Sequence, residues 1–331
     1  MAPGIQDFTY LNVGHETVKG TPVAPTRQMY VDGTGVLEPD PHLNFHQGEN
    51  RGRRSTIARV TQMGEDVGLK VRHGEGVSFD DLIVYHSFLN GTAAAVGAGA
   101  DKTWTQTPSM TASNSPQSYS ADVGDDVQNW RIQYGMVSRF KLAASLISVT
   151  TLEADWFGQR AVKGAKANPA SNLSPKIPGD LWTLKFAGTF AGLAGAAVQN
   201  AFLVGWELEV MTGLVWRHYM DGNLYGAQHV ETAISGTLKL TVESTALAIS
   251  EAYDKWMSQT ADYVRLKATG PTLGGSAYSA QYDLPILWSN VPPITKADQG
   301  VNLYELEANL FDDGTNAPIN PVTVGSLTAL P

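Results

Sequence analysis

The sequence predicts a mainly β protein with two tandem antiparallel β-sandwich or barrel domains, each with one short helix, and with extended N- and C-terminal arms. Alternating apolar and polar residues recur in many segments, and period two with one polar face is typical of an antiparallel sheet packed on one side. Asp-Gly pairs at 32–33, 221–222 and 313–314 favour tight turns between strands. Only two segments have the start signals of a helix.

The predicted strands show which charged residues share a polar face. Strand-like runs begin at Trp130, Leu146, Leu181, Ala201, Ala233, Ala261, Tyr278 and Asn302. In the fourth of these runs Glu207 and Glu209 lie opposite the apolar face, and in the last run Glu305 and Glu307 share the polar face. These four carboxylates are therefore expected on solvated sides of their strands.

Both predicted helices follow a strand that contains a Leu-Lys pair. In SFDDLIVYHSFLNG, Ser78 can cap the helix, Asp80 and Asp81 favour its positive N-terminal end, and Gly91 can end it. The second helix, ESTALAISEAYDKWMSQT, opens with a Ser-Thr pair and has an apolar stripe that reaches Trp256. The two strand-and-helix units lie about half a chain apart, which indicates a weak internal duplication.

The domain boundaries follow from irregular stretches rich in Pro, Ala, Ser, Asn and Gly. The predicted organisation is an N-terminal arm (1–30), a first β-domain (31–162) with a long loop (91–124), a linker (163–180), a second β-domain (181–311) and a C-terminal arm (312–331).

Composition narrows the possible functions. Only 17% of residues are charged, which suggests that copies of the chain cover much of its surface. The net charge of -9 argues against binding to phosphates but allows an acidic wall along which DNA slides. With no cysteine, disulfides, thiolate catalysis and Cys-based metal sites are excluded. We expect no membrane span, because no apolar run approaches the ~18 residues that a span requires. We also expect no secretory signal, because MAPGIQDFTY has neither a basic n-region nor a hydrophobic h-region.

The candidate catalytic and metal-binding patterns are incomplete. His42 and His46 are four residues apart and precede Glu49, but the flanking Pro and Gly residues argue against the helix that would bring them to one metal ion. The carboxylate pairs at 125–126 and 312–313 are typical of turns, and no nucleophile elbow or phosphate-binding loop is present. We therefore expect no catalytic residues, no metal and no cofactor.

Two features indicate contacts between subunits. The one basic cluster contains Arg51, Arg53 and Arg54, and in an acidic chain these guanidinium groups are expected to meet carboxylates of a neighbouring subunit. Trp104 lies inside the predicted long loop, where an exposed indole can anchor a subunit contact.

The stretch VGHETVKGTPVAPT, from Val13, places His15, Glu16 and Lys19 within five residues, which raises the question of an active site. This stretch resembles the start of the major tail tube proteins of long-tailed (siphovirus-type) bacteriophages, which tend to open with a Gly-x-Glu-x-x-x-Gly-Thr-x-x-x-Pro-Thr pattern. The matching residues are Gly14, Glu16, Gly20, Thr21, Pro25 and Thr26. The order of strands, helices and the final acidic turn is similar along nearly the whole chain.

The resemblance implies a structural virion protein without catalytic activity. Its β-domains would join sheets between neighbours into a ring, and stacked rings would form the hollow conduit of the tail. The implied ring is a trimer with pseudo-six-fold symmetry, or otherwise a hexamer. The implied partners are further copies and the tape-measure, tail-tip and terminator proteins, with DNA passing through the lumen without specific binding and with no membrane contact. Assembly would take place in the host bacterial cytoplasm.

The resemblance also suggests roles for the candidate residues. Glu16 would belong to an arm that docks on a neighbouring ring. Glu207 and Glu209, or Glu305 and Glu307, would line an acidic lumen that repels DNA phosphates.

Two other functions remain open at this point. One is a secreted-type, β-rich carbohydrate-binding or hydrolytic module, in which exposed tryptophans and paired carboxylates would serve a sugar. The other is a capsid decoration or tail-sheath component.

Overall fold

The structure is a computed structural model that describes residues 10–32, 37–45, 59–91, 95–169, 171, 173–199, 203–243, 252–291, 296–298 and 301–331. Within these ranges the chain is mainly β with a large antiparallel sheet, as predicted. None of the helices found there is long and apolar enough to cross a membrane.

The strands of the first half are β1 (Tyr10–His15), β2 (Arg27–Met29), β3 (Leu37–Asp40), β4 (Leu43–Phe45), β5 (Val60–Gln62), β6 (Asp66–His73), β7 (Lys102–Thr105), β8 (Tyr119–Gly124), β9 (Asn129–Ser145), β10 (Thr151–Gly158) and β11 (Arg160–Gly164). Those of the second half are β12 (Trp182–Ala187), β13 (Leu203–Met211), β14 (Leu214–Arg217), β15 (Gln228–Glu231), β16 (Ser235–Glu243), β17 (Asp262–Leu273), β18 (Ser276–Asn290), β19 (Lys296–Asp298), β20 (Val301–Leu310) and β21 (Asn320–Gly325). The described α-helices are α1 (Phe79–His86) and α2 (Asp254–Ser258).

The main sheet follows the order β3, β6, β10, β9, β13, β16, β20, β18, β17 and β12, with every neighbouring pair antiparallel. Two strands share one edge of β18: its first part pairs with β21 and its last part pairs with β20. β21 also pairs with β7. Because β9 pairs with β13, hydrogen bonds run directly from the first predicted domain into the second. This pairing does not define where one domain would end and the next begin, so the domain boundaries stay a prediction.

A second sheet is attached through β9. Its order is β2, β1, β8, β9 and β11. The first half of β9 belongs to this sheet, and the second half pairs with β10 and β13 in the main sheet. Tyr134 lies between the two halves and has a left-handed backbone with φ of 54°. This sparsely populated conformation lets one long strand serve both sheets.

The core lies between the sheets and α1. Every residue of α1 is buried, and Ser78 caps its start by accepting a hydrogen bond from the Asp81 amide at 3.2 Å, as predicted. The helix ends at His86, before the Gly91 that was expected to end it, because the following Ser87 hydroxyl donates back to the Val84 carbonyl at 2.6 Å. Of the second predicted helix only α2 falls within the described residues.

Both predicted arms contribute strands to the sheets: β1 and β2 lie in the N-terminal arm and β21 in the C-terminal arm. β1 lies between β2 and β8, and its Leu11 and Val13 are buried. β21 lies between β18 and β7. Side-chain contacts tie both ends to α1: Arg27 forms a buried ion pair with Asp81 at 2.8 Å, and the Ser326 hydroxyl donates a hydrogen bond to Asp80 at 2.6 Å. Side-chain partners for polar groups allow these polar-looking segments to be buried.

The predicted long loop 91–124 is also corrected, because it contains β7 and β8. β8 is a central strand between β1 and β9, and its sequence, YSADVG, alternates apolar and polar residues within surroundings rich in Ser, Pro and Gly that favoured a loop. Its polar residues are buried because they have partners: Ser120 donates to Glu16 at 2.8 Å, and Asp122 accepts from Arg131 at 2.6 Å.

The predicted strand from Ala201 is divided into β13 and β14. Gly213 has a φ of 73°, and the Thr212 hydroxyl donates to the Val137 carbonyl at 2.6 Å, so the chain turns away from the main sheet at this point. β14 then pairs with β15 as a separate two-stranded hairpin. A second separate hairpin is formed by β4 and β5.

Candidate functional site

The polar face of the main sheet carries charged side chains of alternating sign in register across the strands. One row consists of Arg72, Glu153, Lys141 and Glu209 on β6, β10, β9 and β13. A second row consists of Glu207, Lys239 and Glu307 on β13, β16 and β20. Opposite charges that face each other across strands stabilise the register.

Ion pairs with basic residues of neighbouring strands offset the charge of three of the predicted acidic residues. Glu207 lies 2.9 Å from Lys141, Glu209 lies 3.4 Å from Arg139, and Glu307 lies 3.7 Å from Lys239. Each of these three glutamates therefore meets a basic side chain on a neighbouring strand of the single chain. The fourth, Glu305, faces Thr241 and is exposed. That Glu207 and Glu209, or Glu305 and Glu307, line a lumen stays a prediction.

A shallow cavity of about 420 Å³ lies on this face over β13, β16 and β20, where Glu207, Glu305, Lys239 and Asn290 are among the lining residues. In the described part of the chain no three His, Asp or Glu side chains are grouped so that they could hold a metal ion. His42 is described and His46 and Glu49 are not, so the sequence pattern around them lies partly outside the described residues.

Glu16 is a buried structural residue, which answers the question raised by the sequence HETVK. Its carboxylate accepts four hydrogen bonds: from the Gly20 amide at 2.9 Å, the Ser118 and Ser120 hydroxyls at 2.8 Å, and the Tyr134 amide at 2.9 Å. The side chain is therefore unavailable to a neighbouring subunit. It instead joins β1 and β8 to the bend of β9.

Trp104 is buried as well, and the prediction of an exposed indole is wrong. It lies on β7, is only 3% exposed, and its Nε1–H donates to the Leu327 carbonyl at 3.0 Å. None of the eight tryptophans of the chain is exposed: five are buried, and Trp130, Trp216 and Trp256 are half-buried. A sugar site on exposed indoles, which the alternative function requires, thus has no support in this structure.

The arginine cluster Arg51, Arg53 and Arg54 lies outside the described residues. By sequence it stands between β4 and β5, the two strands of one separate hairpin. Its role at an interface therefore stays a prediction. If the cluster does lie at an interface, the β4–β5 hairpin that flanks it in sequence is expected to lie there too.

The two separate hairpins expose apolar side chains in a way that the sequence did not indicate. All six strand residues of β4 and β5 are exposed. We call the exposed apolar side chains of the two hairpins and their adjoining segments the hairpin surface: Leu43, Phe45, Val60, Met63, Val215, Tyr219, Met220 and Leu224. Such groups, concentrated on protruding elements, are typical of protein–protein contacts.

Three polar side chains connect the base of the β4–β5 hairpin with the connection between β14 and β15. His42 Nε2 lies 2.9 Å from Asp66 Oδ2, and His218 Nε2 lies 3.0 Å from Asp66 Oδ1. His42 directly precedes β4, His218 directly follows β14, and Asp66 begins β6. Sequence reasoning missed this cluster because its members are far apart in the chain. The only local signal was the turn predicted at Asp221-Gly222.

No known family model matches the sequence, and a search of curated proteins finds no significant similarity.

Proposed function

We propose that the protein is a structural subunit of a bacteriophage tail tube, which self-assembles into stacked rings that form the conduit for genome delivery. The proposal is supported by the resemblance of the N-terminal pattern and by the hairpin surface. The observation that carries it is the exposure of β4–β5, since every described residue of this two-stranded ribbon faces solvent.

A free two-stranded ribbon is marginally stable unless it packs against something else. Phe45 and Val60 lie directly opposite each other on this ribbon, and each exposes nearly half of its surface. Burying such side chains against another copy contributes about 25 cal/mol for each Å² of apolar surface. The best occupant of the hairpin surface is a second copy of this chain, because four arginines stand between β4 and β5 in a chain of net charge -9.

Contacts of this type favour a polymer. A protruding hairpin that packs on a different region of the next copy makes a heterologous contact, which closes into rings or continues as a filament. A trimer or a hexamer satisfies this geometry, and the tape-measure, tail-tip and terminator proteins would set the length and ends of the tube.

The polar face of the main sheet is a suitable wall for DNA passage if it faces the lumen. Its charges alternate in sign and are paired across strands, so phosphates would meet neither a basic binding surface nor a strong barrier. This differs from the acidic wall expected from the sequence, but it leads to the same behaviour, in which DNA moves through without specific binding.

The test is sedimentation velocity of the purified protein and of a Phe45→Glu variant at rising concentration. We expect the native protein to form large species and the variant to stay a monomer, because a charge replaces an apolar contact. Ile147→Glu is the matched control, since Ile147 is exposed in the β9–β10 turn, away from the hairpin surface. Equal association of the native protein and the Phe45→Glu variant would show that the hairpin surface is not the contact.

A further inference from the structure

The cluster of His42, Asp66 and His218 is built by backbone contacts that hold both hairpins to one segment of the chain. The Met63 amide donates to the His42 carbonyl at 3.0 Å, and the Glu65 amide donates to the Leu224 carbonyl at 2.7 Å. The 63–66 segment thus contacts the first hairpin on one side and the connection of the second hairpin on the other. Asp66, at its end, contacts both histidines: His42 Nε2 meets Oδ2, and His218 Nε2 lies 3.0 Å from Oδ1 and 3.2 Å from Oδ2.

The backbone at His42 is constrained to make this contact. His42 has a left-handed conformation with φ of 40°, which is sparsely populated for residues other than glycine. A Cβ atom on Gly64 would lie 2.9 Å from His42 Cδ2, so only glycine allows the imidazole this position. Two local constraints thus place the ring against Asp66.

Protonation changes the strength of the cluster. The hydrogen bond to Asp66 is the main cause that raises the pKa of His42, and the charge of Asp40 acts in the same direction, with His42 Nδ1 lying 3.4 Å from Asp40 Oδ2. The charge of Asp221 also interacts with His218 at longer range. The charged residues adjacent in sequence are Glu65 and Arg217.

We propose that Asp66 and the two histidines form a proton-controlled clasp, which fixes the relative orientation of the two hairpins and so makes self-association depend on pH. The link to association rests on the proposed function, whereas the clasp itself rests on the geometry of the single chain. A fixed orientation lowers the conformational cost of docking both hairpins on another copy.

The direction of the pH effect follows from the sign of the shift. Because the pKa of His42 is raised, the charged form of the clasp is fully present below the ordinary histidine value near 6.5 and is lost as the pH rises through the raised value. Association is therefore expected to be stronger at about pH 5.5 than at about pH 8. The difference in the concentration for half-maximal association is expected to be about fivefold, the size of a partly exposed ion pair.

The experiment combines histidine NMR titration of dilute, unassociated protein with light scattering against concentration at both pH values, with EDTA present throughout. Asp66→Asn removes the shared charge, and Asp180→Asn is the control with the same change of net charge at an exposed site. We expect Asp66→Asn to return the pKa of His42 towards its ordinary value and to abolish the pH dependence of association, and Asp180→Asn to retain both.

The two measurements separate the two proposals. A His42 signal that titrates identically in the native protein and in Asp66→Asn would overturn the clasp, whatever the association data show. Native protein that stays monomeric at every pH would overturn the proposed function and, with it, the control of association. Association with the same pH dependence in Asp66→Asn and Asp180→Asn would overturn the link between the clasp and assembly.

Discussion

The buried carboxylate of Glu16 anchors the segment that follows β1 to β8 and β9 through hydrogen bonds. Glu16 is 2% exposed, yet its carboxylate has four donors and no residue of opposite charge among them. Each carboxylate oxygen accepts two of these bonds, one from a serine hydroxyl and one from a backbone amide. Removing one acceptor leaves buried donors without partners, which costs more than an average hydrogen bond contributes.

We expect Glu16→Gln to lower the free energy of unfolding by about 1–3 kcal/mol. The amide NH2 group of glutamine would replace a carboxylate oxygen that accepts two hydrogen bonds, and because NH2 is itself a donor, both partners would lose their acceptor. Chemical denaturation measures this change. Glu75→Gln is the control, since the side chain of Glu75 is exposed and its conversion is expected to cost less than about 0.5 kcal/mol. Equal stability of the two variants would contradict the structural role of Glu16.

The buried His86 makes stability depend on pH. Its ring contacts the Tyr282 hydroxyl at 2.8 Å and the Thr323 hydroxyl at 3.2 Å, and burial lowers its pKa from 6.5 to about 3. Because the pKa in the folded state is lowered, the unfolded state takes up the proton first as the pH falls. The free energy of unfolding is therefore expected to decrease by up to about 1.4 kcal/mol for each pH unit below about 6.5.

His86→Gln tests this dependence, because glutamine can keep hydrogen bonds to both hydroxyls but does not titrate. Chemical denaturation at about pH 7 and about pH 4.5 is expected to show a smaller loss of stability in the variant than in the native protein. An identical loss in both proteins would show that His86 is not the responsible group.

At the scale of elements, the charged rows fix the register of the central strands. A shift of one residue would move every charge of a row to the apolar side of the sheet. Glu207 on β13 links two neighbouring strands, because it lies opposite Lys239 on β16 and its carboxylate is 2.9 Å from the Lys141 ammonium group on β9.

We expect Glu207→Lys to lower the free energy of unfolding by about 1–2 kcal/mol, since it places three lysines side by side, and to do so less at high salt. Glu207→Gln removes the attraction without adding repulsion and is expected to cost less than about 1 kcal/mol. Thermal denaturation at low and high ionic strength measures both. A Glu207→Lys variant as stable as Glu207→Gln would show that the row has no influence.

The longer elements were predictable from sequence and the short ones were not. Period-two patterns such as that of β13 predict strands because one face of the sheet is apolar and the other polar. β1 and β8 are short and buried on both sides, although they contain Asn12, Ser120 and Asp122. The alternation in β8 spans only six residues and is flanked by Ser, Pro and Gly, which favour a loop. Their burial depends on partners that are distant in sequence, such as Arg131 for Asp122, and these are visible only in the folded chain.

The candidate site could be predicted only in part for the same reason. The glutamates of the polar face were correctly placed on one side of their strands, but their lysine partners come from neighbouring strands. The exposure of Phe45 and Met63 follows from the separation of the β4–β5 hairpin from the sheets, which periodicity does not encode.

For the whole molecule, the terminal segments belong to the fold before any assembly takes place. Deletion of residues 1–25 removes β1, which pairs with both β2 and β8. We expect this deletion to abolish cooperative unfolding in chemical denaturation, whereas deletion of residues 1–9, which leaves β1 whole, retains it. A cooperative transition in the longer deletion would contradict the central place of β1.

The central claim is that the protein acts as a polymer of identical subunits, because apolar hairpins remain exposed on the single chain. Electron microscopy of the purified protein at rising concentration tests this claim most directly. The account predicts rings that stack into hollow tubes of constant diameter. Particles that remain single subunits at the highest concentrations would contradict it.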